Sequence, residues 1–467
     1  MRYAALLAFA LIVFVAACAT QPQSPTIPST AASAGLGRHP AKSTPIQHVV
    51  IIYQENRTPD DLFQAMAAEG ADIQSWAIDS NGDKVNLKQV SLATSYDLGH
   101  GHASFIRDYD CGKMDGFDFG LAPQFHMRPF SYAPLSEVRP YVDMAKQYVF
   151  ADRMFETQQA GSFPAHQEIV SGTASGLPET TFNVSSDPYS SKTLKKVPAG
   201  CDGPALGAVD TIDPSDGSAG PTPRPCFNRP VLTDFFPQRG ITWRYYQNGL
   251  GPGLWHAFDA IKHVRYGPDY ANVVTPPMTI LSDIATNALP NMSWVMPADS
   301  DHSDHPGNRS ADGPSWVAAI VNAIGESKYW NTTAIVITWD DWGGMYDHVP
   351  PPMMNNWYEL GFRVPMIVVS PYAKRGYVSH VQYEFGSILA FAEETFGIRK
   401  GALNASDARA NDLKDAFNFK QHPRPFVAIS APPFVPGKKS PSIENAEDPD
   451  GDSGVAPATA CMTGRRY

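Results

Sequence analysis

Six short apolar runs punctuate an otherwise polar chain, at 48–53, 148–151, 241–246, 292–296, 334–339 and 365–370. Each run is continuous rather than alternating, the pattern of a strand buried on both faces. Between them lie stretches of helical character at 58–68, 165–171, 314–324 and 383–396. Pro314 suits a first helical turn, and Gly325 can close that helix at its far end. Apolar strands alternating with helices predict an α/β fold, a mostly parallel central sheet with helices on both faces. In such sheets the chemistry collects just beyond the carboxyl ends of the strands.

Three stretches break the pattern. Residues 178–240 are dense in Pro, Gly, Ser and Asp and lack periodicity. They read as an irregular insertion, either a lid or a long surface excursion. Residues 431–467 are again Pro-, Ser- and Asp-rich and predict a poorly ordered tail. At the other end, Arg2 precedes an apolar run at 4–17, too short to span a bilayer and laid out as a signal peptide. Val15-Ala16-Ala17-Cys18 resembles the bacterial lipobox, which implies a diacylated Cys18, a flexible tether over 18–45 and a membrane partner. Ala19 after that cysteine points to the outer membrane of the bacterial envelope. The folded part, 46–430, is long enough for one large domain or two small ones.

Net charge is −11 with no basic stripe, which argues against a stable nucleic-acid partner. The chain has five cysteines. Besides Cys18 they are Cys111, Cys201, Cys226 and Cys461, with no metal-finger spacing. An oxidising compartment permits two disulfides in any of three pairings. Cys201 and Cys226 flank one Pro/Gly/Asp-rich loop and are the first pair to expect.

Metal-competent residues follow several strands. Glu55, Asn56 and Arg57 follow the first, and Asp152 and Arg153 the second, with Gly161-Ser162-Phe163-Pro164 shortly after. The 292–296 run leads to Asp304, His305 and Pro306, and the 334–339 run to Asp340, Asp341, Gly343, Gly344, Asp347 and His348. Any one group alone reads as a turn or a solvated strand end. Together they supply what phosphoryl transfer needs: carboxylates to hold a cation, a hydroxyl to attack, and donors around the transferring oxygens. Oxygen-rich ligation points to one divalent ion, Ca²⁺, Mg²⁺, Mn²⁺ or iron.

Six motifs make the family visible: HVVIIYQENRTPDDLF from residue 48, DLGHGHASFIRDYDCGKMDGF from 97, GSFPAHQEIVSGT from 161, SDHP from 303, TWDDWGGMYDHVPPP from 338 and AFNFKQHPRPF from 416. They resemble the bacterial phosphoesterase family that joins phosphatidylcholine-type phospholipases C to a group of acid phosphatases, with an alkaline-phosphatase-like fold. The resemblance implies Glu55, Asn56, Ser162, Asp340 and Asp341 as metal ligands and Ser162 as nucleophile. It implies Asn56, His100, His305 and His348 around the phosphate of a phosphomonoester or phospholipid substrate. Asp304 is expected either to hold the ring of His305 or to cap a turn. Gly-His-Gly-His leaves His102 as an alternative to His100, which counting back from Gly112 favours. Arg57 could clamp a phosphate or serve an ion pair.

Two other classes compete. A sulfatase is suggested by Ser162-Phe163-Pro164-Ala165-His166, although His166 stands where that signature has Arg. A non-catalytic, surface-anchored binding protein would have lost the serine or the acidic pair, and both are present. An aromatic cage for a choline-like group has candidates in Tyr245, Tyr246, Trp255, Trp342, Tyr346 and Trp357. Serine rather than threonine at 162 leans toward phosphomonoesters.

Overall fold

All six apolar runs form strands, and two shorter strands join them in one eight-stranded sheet. In the computed structural model these are β1 (His48–Gln54), β2 (Val149–Ala151), β3 (Trp243–Tyr246), β4 (Val273–Val274), β5 (Met292–Val295), β6 (Thr333–Trp339), β7 (Met366–Val369) and β8 (Tyr377–Ser379). Their spatial order is β4-β3-β5-β1-β6-β7-β2-β8. Every neighbouring pair is parallel except the two that involve β7, which runs antiparallel to both β6 and β2. The sheet is therefore mostly parallel, as its continuous apolar strands imply. The structure describes residues 44–176, 182–354 and 356–435; the expected signal peptide, Cys18 and all but the last two residues of the tether lie outside them.

Side chains on a strand alternate between faces, and the two faces have different helices. Tyr53 on β1 packs against His166 and Phe385, and so lies beneath α3 (Ser162–Ser171) and α5 (Phe385–Thr395). Trp294, in register with Ile51, donates its indole N–H to Ile169 O on that same face. Gln54 is the next residue along, and its partner Trp339 packs edge-on against Tyr141 of α2 (Leu135–Gln147) on the other face. There α2 packs against α4 (Gly313–Gly325). α1 (His102–Tyr109) lies outside this sandwich and supplies Phe105 to a second apolar cluster with Trp342 and Phe362.

Two departures from the sequence pattern have local causes. The helix expected over 58–68 splits into a single turn, Pro59–Leu62, and a 3₁₀ segment, Gln64–Glu69. Phe63 between them leaves helical geometry to stack on Phe150. The chain remains packed on the fold through the first residues of the expected tail. Ile429 exchanges hydrogen bonds with Asn322 of α4, and Phe434 packs against Trp316 and His302.

The insertion is anchored, not loose. Over its described residues it forms two-residue ladders, Asn183–Val184 with Thr211–Ile212 and Tyr189–Ser190 with Gly207–Ala208. Cys201 and Cys226 form the expected disulfide. The pairing of Cys461 lies outside the described residues.

Candidate active site

β1 and β6 are parallel neighbours, so the connections leaving their carboxyl ends emerge side by side. Asp340 N–H donates to Gln54 O, and Asn56 N–H donates to Asp340 Oδ1 at 2.9 Å. Both connections then turn sharply. Asn56 sits at φ 59 and Gly343 at φ 62. A Cβ on Gly343 would come within 2.4 Å of Asn56 O, so only glycine lets the two turns touch. This contact brings Glu55 and the Asp340–Asp341 pair together.

The third contribution comes from α3, whose first residue is Ser162 after the extended Gly161. Ser162 Oγ donates to Asp341 Oδ2 at 2.9 Å and lies 3.5 Å from Asn56 Oδ1. His166, one turn on and on the same helix face, points its Nε2 at Glu55 Oε1 (3.3 Å) and Asp340 Oδ2 (3.6 Å). Glu55, His166 and Asp340 thus bring ligand atoms close enough to share one ion. All these side chains are fully buried.

Such a cluster is electrostatically unbalanced as it stands. Burial and then the Asp340 charge push the Glu55 carboxyl well up, and the same two causes raise Asp341. Burial would also raise Asp340, but the His166 hydrogen bond and charge outweigh it and hold it down. Nearby Glu156, which accepts from Trp342 N–H, is raised by burial and by the two aspartates. Glu55 Oε2, Asp340 Oδ2 and His166 Nδ1 are buried without hydrogen-bond partners. Buried polar atoms are almost always partnered. Open carboxylate oxygens beside an imidazole whose Nε2 faces them fit a hard divalent cation.

Two histidines face this centre. His100 sets its Nε2 3.0 Å from Asn56 Nδ2, and its Nδ1 bonds Leu98 O. His305 stands edge-on to His100, with ring centroids 5.7 Å apart, and its Nδ1 bonds Pro306 O. Burial pushes the His305 pKa down. His102 is turned to Gln159 O, so His100 is the member of Gly-His-Gly-His that meets Asn56.

Two expectations require correction. His348 bonds Asp60 through Nδ1 (2.7 Å) and Asp72 through Nε2 (3.1 Å), beside Arg363, so neither ring nitrogen is open toward Ser162. Gly343 and Gly344, both left-handed, turn the chain away between Asp341 and His348. Asp304 does not hold His305; its Oδ2 accepts from Tyr141 Oη and Trp339 Nε1. Of the six aromatic-cage candidates, three have partners of their own: Tyr246 bonds Asp283, Trp342 bonds Asp108 while standing edge-on to His100, and Trp357 covers Gly217. Arg57 takes the ion-pair alternative, with Asp61 at 3.0 Å.

Sequence reasoning misses two contributors. His166 stands out in the sequence only as a missing arginine, although its position four residues after Ser162 places both on one face. Asp187, within the insertion, accepts from Phe163 N–H at 3.0 Å and so caps the helix that carries Ser162.

Residues 46–399 match the model of the Phosphoesterase family, and the chain belongs to it. A non-hemolytic phospholipase C from Pseudomonas aeruginosa is 25% identical, over 89% of this chain and 64% of its own length. The chain therefore spans less than two thirds of that relative. Phospholipase C A of Mycobacterium tuberculosis is 26% identical over 83% of this chain and 80% of its own. Non-specific phospholipase C1 of Arabidopsis thaliana is 23% identical over 81% and 72%. Among solved structures, a protein in the alkaline phosphatase superfamily from Vibrio parahaemolyticus is 11% identical at a TM-score of 0.37, covering 79% of this chain and 70% of that one, a likeness too loose to carry an argument.

Proposed function

We propose that the chain hydrolyses the head-group diester of phospholipids, as a phospholipase C, through a Ser162 nucleophile and a phosphoserine intermediate. The observation that carries this reading is the Ser162 hydroxyl at a helix start, 2.9 Å from Asp341, beside buried carboxylates with unpartnered oxygens. The names of the three relatives support the diester over the monoester.

A divalent cation held by Glu55, Asn56, Ser162, Asp340 and Asp341, with His166 alongside, would neutralise phosphate charge and ease proton loss from the serine. Asp341 Oδ2 accepts the Ser162 hydroxyl and is the acceptor in line for its proton. Ser162 Oγ forms the new bond to phosphorus as the ester oxygen departs. His100 and His305 line the phosphate, and one of them gives the leaving oxygen its proton. Water then cleaves the phosphoserine and restores Ser162. Asn56 steers the phosphate and, through its amide, orients His100. Lipidation of Cys18 and residence in the bacterial envelope remain part of this reading.

Purified protein is given para-nitrophenyl phosphorylcholine and para-nitrophenyl phosphate, with and without chelator. The diester turns over, chelation stops it, and Ser162→Ala lowers kcat by at least ~10³-fold. Turnover confined to the monoester would make the chain an acid phosphatase. Trapped phosphoenzyme surviving in Ser162→Ala would remove Ser162 from the nucleophile's role.

A further inference from the structure

Beyond the anchored part of the insertion, one exposed turn has no role in the fold or in the Ser162 site. The stretch 188–201 carries Lys192, Lys195 and Lys196 and no acidic residue, in a chain of net charge −11. Residues 191–196 are all exposed. They form a tight turn in which Leu194 N–H donates to Ser190 O and Ser190 N–H donates to Lys195 O. At its tip Leu194 is 70% exposed, and Leu206 on the neighbouring limb of the hairpin is 52% exposed. Ser191 N–H donates to Leu206 O, so the two leucines belong to one projection.

Leu194 is also in the wrong place for turn chemistry. Its φ is 57, a left-handed conformation that turns ordinarily give to Gly or Asn because a larger side chain is strained there. Folding gains little from a strained leucine that leaves most of its surface in water. Nor do Lys192 and Lys195 form an ion pair among the described residues. Strained, exposed, apolar and basic together describe an element kept for a partner that is apolar beneath and anionic on top. A membrane of acidic phospholipids has that layering.

Position gives the element its use. Its stem begins at Tyr189, two residues beyond Asp187, which caps the helix carrying Ser162. Seven residues separate Asp187 from Leu194, so the tip lies within about 24 Å of that helix start. The Cys201–Cys226 disulfide ties down the stretch beyond the turn.

We propose that the 189–208 hairpin docks on an anionic phospholipid surface, with Leu194 and Leu206 entering the interface and Lys192 and Lys195 meeting its phosphates. The docking rests on the phospholipase reading only for its purpose, which is to present head groups to Ser162.

Full-length chains in a Ser162→Ala background, which leaves the bilayer intact, are sedimented with vesicles of phosphatidylcholine alone or mixed with phosphatidylglycerol. Any leader or anchor is common to all variants and cancels in the comparison. The parent binds the mixed vesicles more tightly, and salt weakens it. Lys192→Glu with Lys195→Glu loses at least about 25-fold in binding, fivefold for each lysine. Leu194→Ser loses roughly tenfold. With Ser162 restored, the same variants hydrolyse para-nitrophenyl phosphorylcholine at the parent rate, which establishes that they fold. Equal vesicle binding by parent and variants overturns the docking, as does binding indifferent to phosphatidylglycerol. A loss seen only on a soluble polyanion such as heparin assigns the patch to another partner and also overturns it. Failure of the restored parent on the soluble ester would instead defeat the Ser162 reading while leaving the vesicle result to be read on its own.

Discussion

Two groups of buried carboxylates lie near the ends of β1 and β6, and they differ in what sits among them. Glu55, Asp340 and Asp341, with Glu156 nearby, are reached among the described residues by the His166 imidazole and by no arginine or lysine. Oxygens there stay unpartnered. Asp60 and Asp347 have Arg363 between them, two-pronged on Asp347 at 2.8 and 2.9 Å and 3.5 Å from Asp60. His348 completes that group, and no buried polar atom of Asp60, Asp347, His348 or Arg363 lacks a partner. Either trio could offer ligand atoms to an ion by distance alone. Only the first lacks its countercharge. A buried carboxylate is costly until it is paired, so a group left unbalanced marks a site and a balanced one marks a joint.

The sharpest way to break this contrast is Glu55→Gln. Removing a ligand should lower turnover by ~10³-fold, yet metal-free protein should unfold at the same temperature or higher, because burial and the Asp340 charge already disfavour an ionised carboxyl there. Arg363→Met should do the reverse. It strands Asp347 and Asp60 and should cost about 3–5 kcal/mol of stability by denaturant titration, with or without metal. Should Glu55→Gln destabilise metal-free protein as Arg363→Met does, the two groups are of one kind and the contrast fails.

The smallest effect concerns His348. Burial pushes its pKa down, but the Asp60 hydrogen bond and the charges of Asp60 and Asp347 prevail, and it is raised from 6.5. A group held more basic when folded adds stability below its unfolded pKa and loses it as pH rises through the folded value. The stability gap between parent and His348→Gln should therefore be widest below pH 6.5 and close above it. A gap that widens on the alkaline side would mean the imidazole is held neutral.

How far the sequence reveals all this depends on distance along the chain. Strands such as β6 are legible because a strand buried on both faces must be apolar throughout. Strand-end logic also reaches Glu55, Asn56, Asp340 and Asp341, which the sheet delivers side by side. Strand-end logic brings Ser162 into view, but its role is legible only through its motif, since nothing local tells a helix-start serine at a site from an ordinary cap. His348 misleads because it comes soon after Asp341 in sequence while two left-handed glycines turn the chain between them. Asp187 is beyond reach, since it meets α3 from an insertion with no periodicity.

The junction of Asn56 with Asp340 spans 284 residues, and that of Ser162 with Asp341 spans 179. Loop closure on that scale comes late, after local helices and hairpins have formed. β1, made early in synthesis, stays without its partner β6 until the chain has been extended to Trp339. Up to that moment the chain owns a serine, a glutamate and a histidine but no acidic pair to join them. On the proposed reading, catalytic competence is thus a property of the paired β1 and β6, and a chain that stops short of Asp341 lacks it by topology.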